Sequence, residues 1–259
     1  MTERPPEPGK TRVTVRFYGS LNDFLAPERR GVELVHTVNG HSSVKDLIES
    51  LGPPHPEVDV VLVNGEAVGF SHRVEHGQRL AVYPAFASID VTPLVRVGPP
   101  PLPELRFLLD VGLGRLAGLL RMLGFDTLWR NDYADDELAR ISHDEQRILL
   151  TRDLGVLKRS EVVHGYFPRE TDPSRQLVEV VRRFRLTGLM RPFTRCLACN
   201  ALLSAASPEE VQGRVPERVH ATFTRFQRCP ECKRVFWAGS HHAHMQSIID
   251  KLRKLEIRP

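Results

Sequence analysis

No apolar run in this chain approaches the ~20 residues a membrane span needs. Its opening, MTERPPEPGK, has no apolar signal-peptide core and three prolines, and reads as a disordered tail. Both absences lead us to expect a soluble, cytoplasmic protein with no membrane partner. Cysteine is scarce: only Cys196, Cys199, Cys229 and Cys232 occur. There is no phosphate-cradling GxxxxGK[ST] loop, and in VGLGRLAG the third glycine of a GxGxxG pattern is Ala117. No Ser–His–Asp or nucleophilic-cysteine pattern is visible either.

What is present is ordinary for a soluble globular protein: 41% hydrophobic and 26% charged residues, over a length that suits two domains and a small third module. The net charge of +4 is unevenly spread. From Arg182 to Trp237 there are 11 Lys/Arg against 4 Asp/Glu, whereas Pro103 to Val181 holds 11 against 14. A basic segment attracts polyanions such as nucleic acid, or is simply a solvated face.

VTVRFYG (13–19) alternates as a strand does, and a second strand is expected near Val32–Val38. SSVKDLIESLG (42–52) reads as a helix: Ser42 or Ser43 caps it, Val44, Leu47, Ile48 and Leu51 form one face, and Gly52 ends it. VDVVLVNGEAV (58–68) is a hairpin turning at Asn64-Gly65, and QRLAVYPAF (78–86) is a last strand. This order resembles the β-grasp fold of ubiquitin-like sulfur carriers. Those carriers end in a free Gly-Gly, whereas here AFASIDVTPL continues the chain. The resemblance therefore implies a docking or stabilising module with a protein partner.

GPPPLP (98–103) is a stiff linker. After it, LRFLLD (105–110), FDTLW (125–129), RILLTRD (147–153) and VVHGYF (162–167) read as strands. The helices VGLGRLAGLLRMLG (111–124), ADDELARISHDEQ (134–146) and PSRQLVEVVRRF (173–184) alternate with them. Strand–helix alternation at this spacing predicts βαβ units and a parallel sheet.

Two of these strands run into acids, Asp110 and Asp153. In an open parallel sheet both leave the same edge, where ligands bind. Asp132 precedes the 134–146 helix, with Asp135 as its expected N-cap and Asp136 in its first turn. Converging carboxylates repel unless a cation lies between them, and hard oxygen ligands suit Mg²⁺ or Mn²⁺. Each acid has a plainer alternative as a cap or first-turn residue. Arg115 and Arg152, beside the acids, either grip a substrate phosphate or pair with a carboxylate. Asp172 reads mainly as the cap of the last helix.

CLAC and CPEC are separated by 29 residues. In a cytosolic chain two such pairs form a closed, structural zinc site. The basic, aromatic stretch between and after them can hold phosphates and stack bases. The alternative, favoured for most of Phe223, Phe226, Phe236 and Trp237, is that they fill a small core. His241 and His244 stand near a helix start, either facing RNA or merely exposed.

FLLDVGLGRLAGLLRMLGFDT, DDELARIS and RILLTRDLGVL, followed by CLACN and RCPECKRVFWAGSHHAHM, resemble the Mut7-C family. That family joins a PIN-like RNase domain to a zinc ribbon, and some bacterial forms carry an N-terminal ubiquitin-like domain. The resemblance implies an α/β chain with a β-grasp domain (11–90), a PIN-like nuclease domain (104–190) and a zinc ribbon (191–247). It implies a metal-dependent ribonuclease whose Asp110, Asp153 and either Asp135 or Asp136 hold Mg²⁺ or Mn²⁺. The rival expectation is a non-catalytic nucleic-acid-binding or interaction protein that keeps the fold.

Overall fold

Alternation sets the first sheet. In β1 (Lys10–Phe17) Val13, Val15 and Phe17 turn inward and are fully buried, as a period of two requires. The computed structural model describes residues 10–40, 42–85 and 96–257. The expected N-terminal tail and most of AFASIDVTPL lie outside the described residues. β2 (Leu34–Asn39), α1 (Val44–Leu51), β3 (Val58–Val63), β4 (Glu66–Ala67) and β5 (Arg79–Pro84) follow. The strand order is β2-β1-β5-β3-β4, with β1 and β5 parallel and the other pairs antiparallel. The four apolar residues of α1 enter the core under this mixed sheet. Ser43 caps the helix in a reciprocal pair with Asp46. Asn64 (φ 51°) and Gly65 (φ 93°) make the hairpin turn with both central residues left-handed.

The next elements are β6 (Phe107–Leu109), α2 (Gly114–Met122), β7 (Thr127–Trp129), α3 (Asp135–Asp144) and β8 (Ile148–Leu150). They are followed by α4 (Leu154–Leu157), β9 (Gly165–Tyr166) and α5 (Pro173–Arg183). β6 is flanked on both sides by parallel strands, with Leu109 in register with Trp129 of β7 and Leu150 of β8. All three residues of β6 are buried, so the strand reads as a continuous apolar run rather than an alternation. Gly114 admits the Trp129 indole, because a Cβ there would come within 2.5 Å of the ring. Gly124 (φ 94°) closes α2 under the Arg191 carbonyl.

Three expectations are refined. The expected helix at 111–124 starts as a 3-10 turn over Val111–Leu113. The strand expected at 162–167 shrinks to β9. Asp135 is the first residue of α3 and not its cap, since the Ala134 carbonyl receives the Leu138 N–H.

The chain divides into two compact units. The first holds the described residues up to Pro103 together with 142–144 and 153–167, and the second holds the rest. Within the first, the buried Glu57 carboxylate accepts the Phe167 N–H at 2.8 Å, and Lys158 Nζ donates to the Glu49 carbonyl at 2.7 Å. Phe24 meets Phe167 edge to face.

The second unit ends in β10 (Ser204–Ala206), α6 (Pro208–Val211), α7 (Glu217–Thr222), β11 (Phe226–Arg228), β12 (Val235–Trp237) and α8 (Ser240–Arg253). The three strands form an antiparallel sheet in chain order. Val211, Val215, Val219 and Phe226 make its small core, with Phe223 and Trp237 packed on it.

A polar network joins the first cysteine knuckle to the parallel sheet. Asp126 Oδ1 accepts from Arg147 Nη1 at 2.7 Å and from Asn200 Nδ2 at 2.9 Å. Asn200 Oδ1 accepts the Thr127 N–H, and Arg121 donates to the carbonyls of Thr127 and Ala198. Burial opposes the Asp126 charge, but the hydrogen bonds from Arg147 and Asn200 outweigh it and hold the carboxyl below its ordinary 3.8. A lowered carboxyl pKa adds stability that is complete above 3.8 and is lost as the pH falls through the lower, folded value. Asp126→Ala leaves the buried Arg147 with Glu145 as its carboxylate partner and strips Asn200 Nδ2 of its acceptor, and we expect it to cost about 1–3 kcal/mol in urea unfolding at pH 7. The gap to the unmutated protein should narrow in strong acid. A loss under roughly 0.5 kcal/mol, the range of an ordinary surface change, would show that the network is not structural.

Candidate functional site

β6 delivers Asp110 at its carboxyl end, partly buried. One carboxylate oxygen accepts the Val111 N–H at 2.5 Å and the other accepts the Thr151 hydroxyl at 2.6 Å. Thr151 is fully buried just past the end of β8, and the Asp110 N–H donates to the Leu150 carbonyl. The two parallel strand ends thus fix the direction of this carboxylate. Sequence reading missed Thr151, although a hydroxyl between an apolar strand and an acid in LLTRD was a usable signal.

Asp135 and Asp136 begin α3, both exposed and neither with a hydrogen-bond or ion-pair partner among the described residues. Their charges suit the helix amino terminus. Asp132 is engaged elsewhere, gripped through both oxygens by Arg130 at 2.9 Å. Asp153, exposed in the first unit, caps α4 by accepting from Gly155 N at 2.6 Å and Val156 N at 3.2 Å. Asp172 caps α5 in the same way.

The two arginines differ. Arg115 is exposed and has no partner among the described residues. Arg152 Nη1 donates to the carbonyls of Pro168, Arg169 and Glu170, each at 2.9 Å, which ties it to the following loop.

The cysteines are brought together. Their four Sγ atoms all lie within 4.8 Å of one another, with 3.5 Å between Cys196 and Cys232 and 3.3 Å between Cys199 and Cys229. None is in a disulfide. Zn–S bonds of about 2.3 Å in a tetrahedron put sulfurs about 3.8 Å apart, so the donor set fits zinc. Burial pushes the Cys196 thiol up to about 12 and also raises Cys229. At Cys199 burial is outweighed by the Ala201 N–H and the neighbouring thiols, giving about 7. Among the described residues this is the one group of three or more His, Cys, Asp or Glu side chains close enough to share an ion. The acids are not gathered that tightly.

A mixed sheet with one helix, a parallel sheet with helices, and four clustered cysteines define a multi-part α/β protein able to bind a metal. Residues 105–249, more than half of the chain, match the family model described as the Mut7-C RNAse domain, and residues 10–90 match the one described as Mut7-C ubiquitin. The chain belongs to the Mut7-C RNAse domain family. No curated protein matches it. Among solved structures, the solution structure of the Haloferax volcanii HVO 2177 protein is similar to 33% of this chain and 93% of that one, at 19% identity and a TM-score of 0.26. No helix among the described residues is long and apolar enough to cross a membrane.

Metal binding to protonated thiols must expel protons. Adding Zn²⁺ to metal-free protein at pH 7 should therefore release about two to four protons per ion, and acidification should free the metal. Calorimetry in buffers of different ionisation enthalpy measures the count. Release of less than one proton per ion would argue against thiolate ligation.

Proposed function

We propose that this protein is a metal-dependent ribonuclease, with residues 11–90 as a partner-docking module, 104–190 as the nuclease and 191–247 as a zinc ribbon that grips RNA. The observation that carries the reading is the Asp110 carboxylate, directed by Thr151 from the neighbouring strand end, in a chain of the Mut7-C RNAse domain family. Asp110, with Asp153 past the end of β8 and Asp135 or Asp136 at the start of α3, offers the hard oxygen ligands that Mg²⁺ or Mn²⁺ takes. A divalent ion there would supply charge neutralisation at a phosphodiester and make a neighbouring water more acidic. Thr151 keeps one oxygen of Asp110 oriented, while Arg115 is available to a phosphate. The structural zinc closes the ribbon, and the basic segment supplies salt-sensitive affinity for RNA.

A second reading is favoured by the capping bonds at Asp110 and Asp153, which give each acid a structural task without any metal. In it, the protein binds nucleic acid or a partner and does not cleave.

End-labelled single-stranded RNA, duplex RNA, transfer RNA and single-stranded DNA, incubated with Mg²⁺ or Mn²⁺, separate the two. We expect RNA cleavage that Asp153→Asn abolishes and that Thr151→Val, which removes only the hydroxyl that orients Asp110, lowers roughly 10–100-fold. Absence of cleavage of any substrate, with Asp153→Asn binding RNA as tightly as the unmutated protein, would support the binding reading instead.

A further inference from the structure

The aromatic residues of the cysteine-bearing segment fall into two sets. Phe223, Phe226 and Trp237 serve the small apolar core, and Phe236 does not. Phe236 is in register with Gln227, and Gln227 with Ala205. Alternation turns these three to the face of the sheet opposite Phe226. A cavity of about 460 Å³ opens beside them, inside the ~300–1,000 Å³ range of small-molecule sites.

Its lining is aromatic and sparsely polar. Phe193 and His242 stack in its wall with ring centroids 4.2 Å apart and an interplanar angle of 30°. Phe193 is held in place by its N–H, which donates to the Met122 carbonyl at 3.0 Å. Phe236, Trp237 and Phe226 extend the aromatic surface. Among the described residues, the side-chain polar groups of Gln227, Arg225 and Trp237 make no hydrogen bond or ion pair, though all three line the cavity. Flat π surface, a few unmatched polar groups and a guanidinium together suit a planar heteroaromatic group with a hydrogen-bonding edge and an attached phosphate. The surrounding excess of 11 Lys/Arg over 4 Asp/Glu between Arg182 and Trp237 favours a polyanion as the carrier of that group.

We propose that this cavity takes one unpaired base of single-stranded RNA, stacked on the aromatic wall, with its edge bonded by Gln227 and its phosphate met by Arg225. The inference rests on RNA being the ligand, but not on cleavage. It makes the pocket a selector of single strands, because a paired base cannot leave its stack without cost.

The test uses the full zinc-loaded chain without Mg²⁺ or Mn²⁺, so that binding is read apart from cleavage. The probes are a short labelled oligoribonucleotide, the same strand with abasic positions and therefore equal charge, and its duplex. We expect the intact strand to bind roughly 10-fold more tightly than the abasic one, the size of one stacked base. Phe236→Ala should erase that preference while its zinc content and melting temperature stay unchanged. Gln227→Ala should weaken it without altering affinity for the abasic strand. Equal binding of intact and abasic strands, equal binding of the duplex, or a retained preference in zinc-replete Phe236→Ala would each overturn the pocket. Base preference without any nuclease activity would uphold the pocket and overturn only the cleavage reading.

Discussion

The contact on which the second unit depends is the Asp126–Arg147 pair with Asn200 closing it. Asp126 stands just before β7, Arg147 just before β8, and Asn200 just after the first cysteine pair. One carboxylate thus ties together the starts of the two strands that flank β6 and fixes the first knuckle against them. The cost of burying these charges is offset because each is paired and hydrogen-bonded. Arg121 adds a further tie from α2 to the carbonyls of Leu197 and Ala198. The knuckle is therefore anchored through its backbone, independently of any metal its cysteines could hold.

This arrangement divides labour between the two edges of the parallel sheet. The amino-terminal edge carries the ion-paired network, in which every charge has a partner. Past the carboxyl ends of β6 and β7 the acids are less constrained: Asp110 is held by a hydroxyl and one backbone N–H, while Asp135 and Asp136 face water. An open sheet keeps chemistry at its carboxyl edge because loops there can vary without disturbing strand pairing.

Much of this was legible from local pattern. Val44, Leu47, Ile48 and Leu51 behind Ser43 specify α1, Asn64-Gly65 specifies the hairpin, and the wholly apolar FLL and ILL specify buried parallel strands. The paired CxxC spacing anticipated the cysteine cluster. What escaped was contact between distant residues. Asp126 and Asn200 lie 74 positions apart, and nothing near either marks the other. Asp135 had every mark of a cap, yet the chain begins its helix one residue earlier than a cap there would allow. Phe226 and Phe236 look equivalent in sequence; only strand register puts Phe226 into the core and leaves Phe236 out of it.

The segment 153–167 has a further consequence. By sequence it lies inside the Mut7-C RNAse domain match, yet it shares a compact unit with the β-grasp residues, where Glu57 accepts its Phe167 N–H and Lys158 reaches the Glu49 carbonyl. Cutting the chain at the GPPPLP linker would not yield two self-sufficient halves. The C-terminal piece would carry an orphaned stretch, with Phe167 deprived of Glu57 and Phe24 and Lys158 of the Glu49 carbonyl, and that stretch begins at Asp153. In this chain the two matched regions therefore share one folded unit, and the linker between them is not the boundary at which the structure divides.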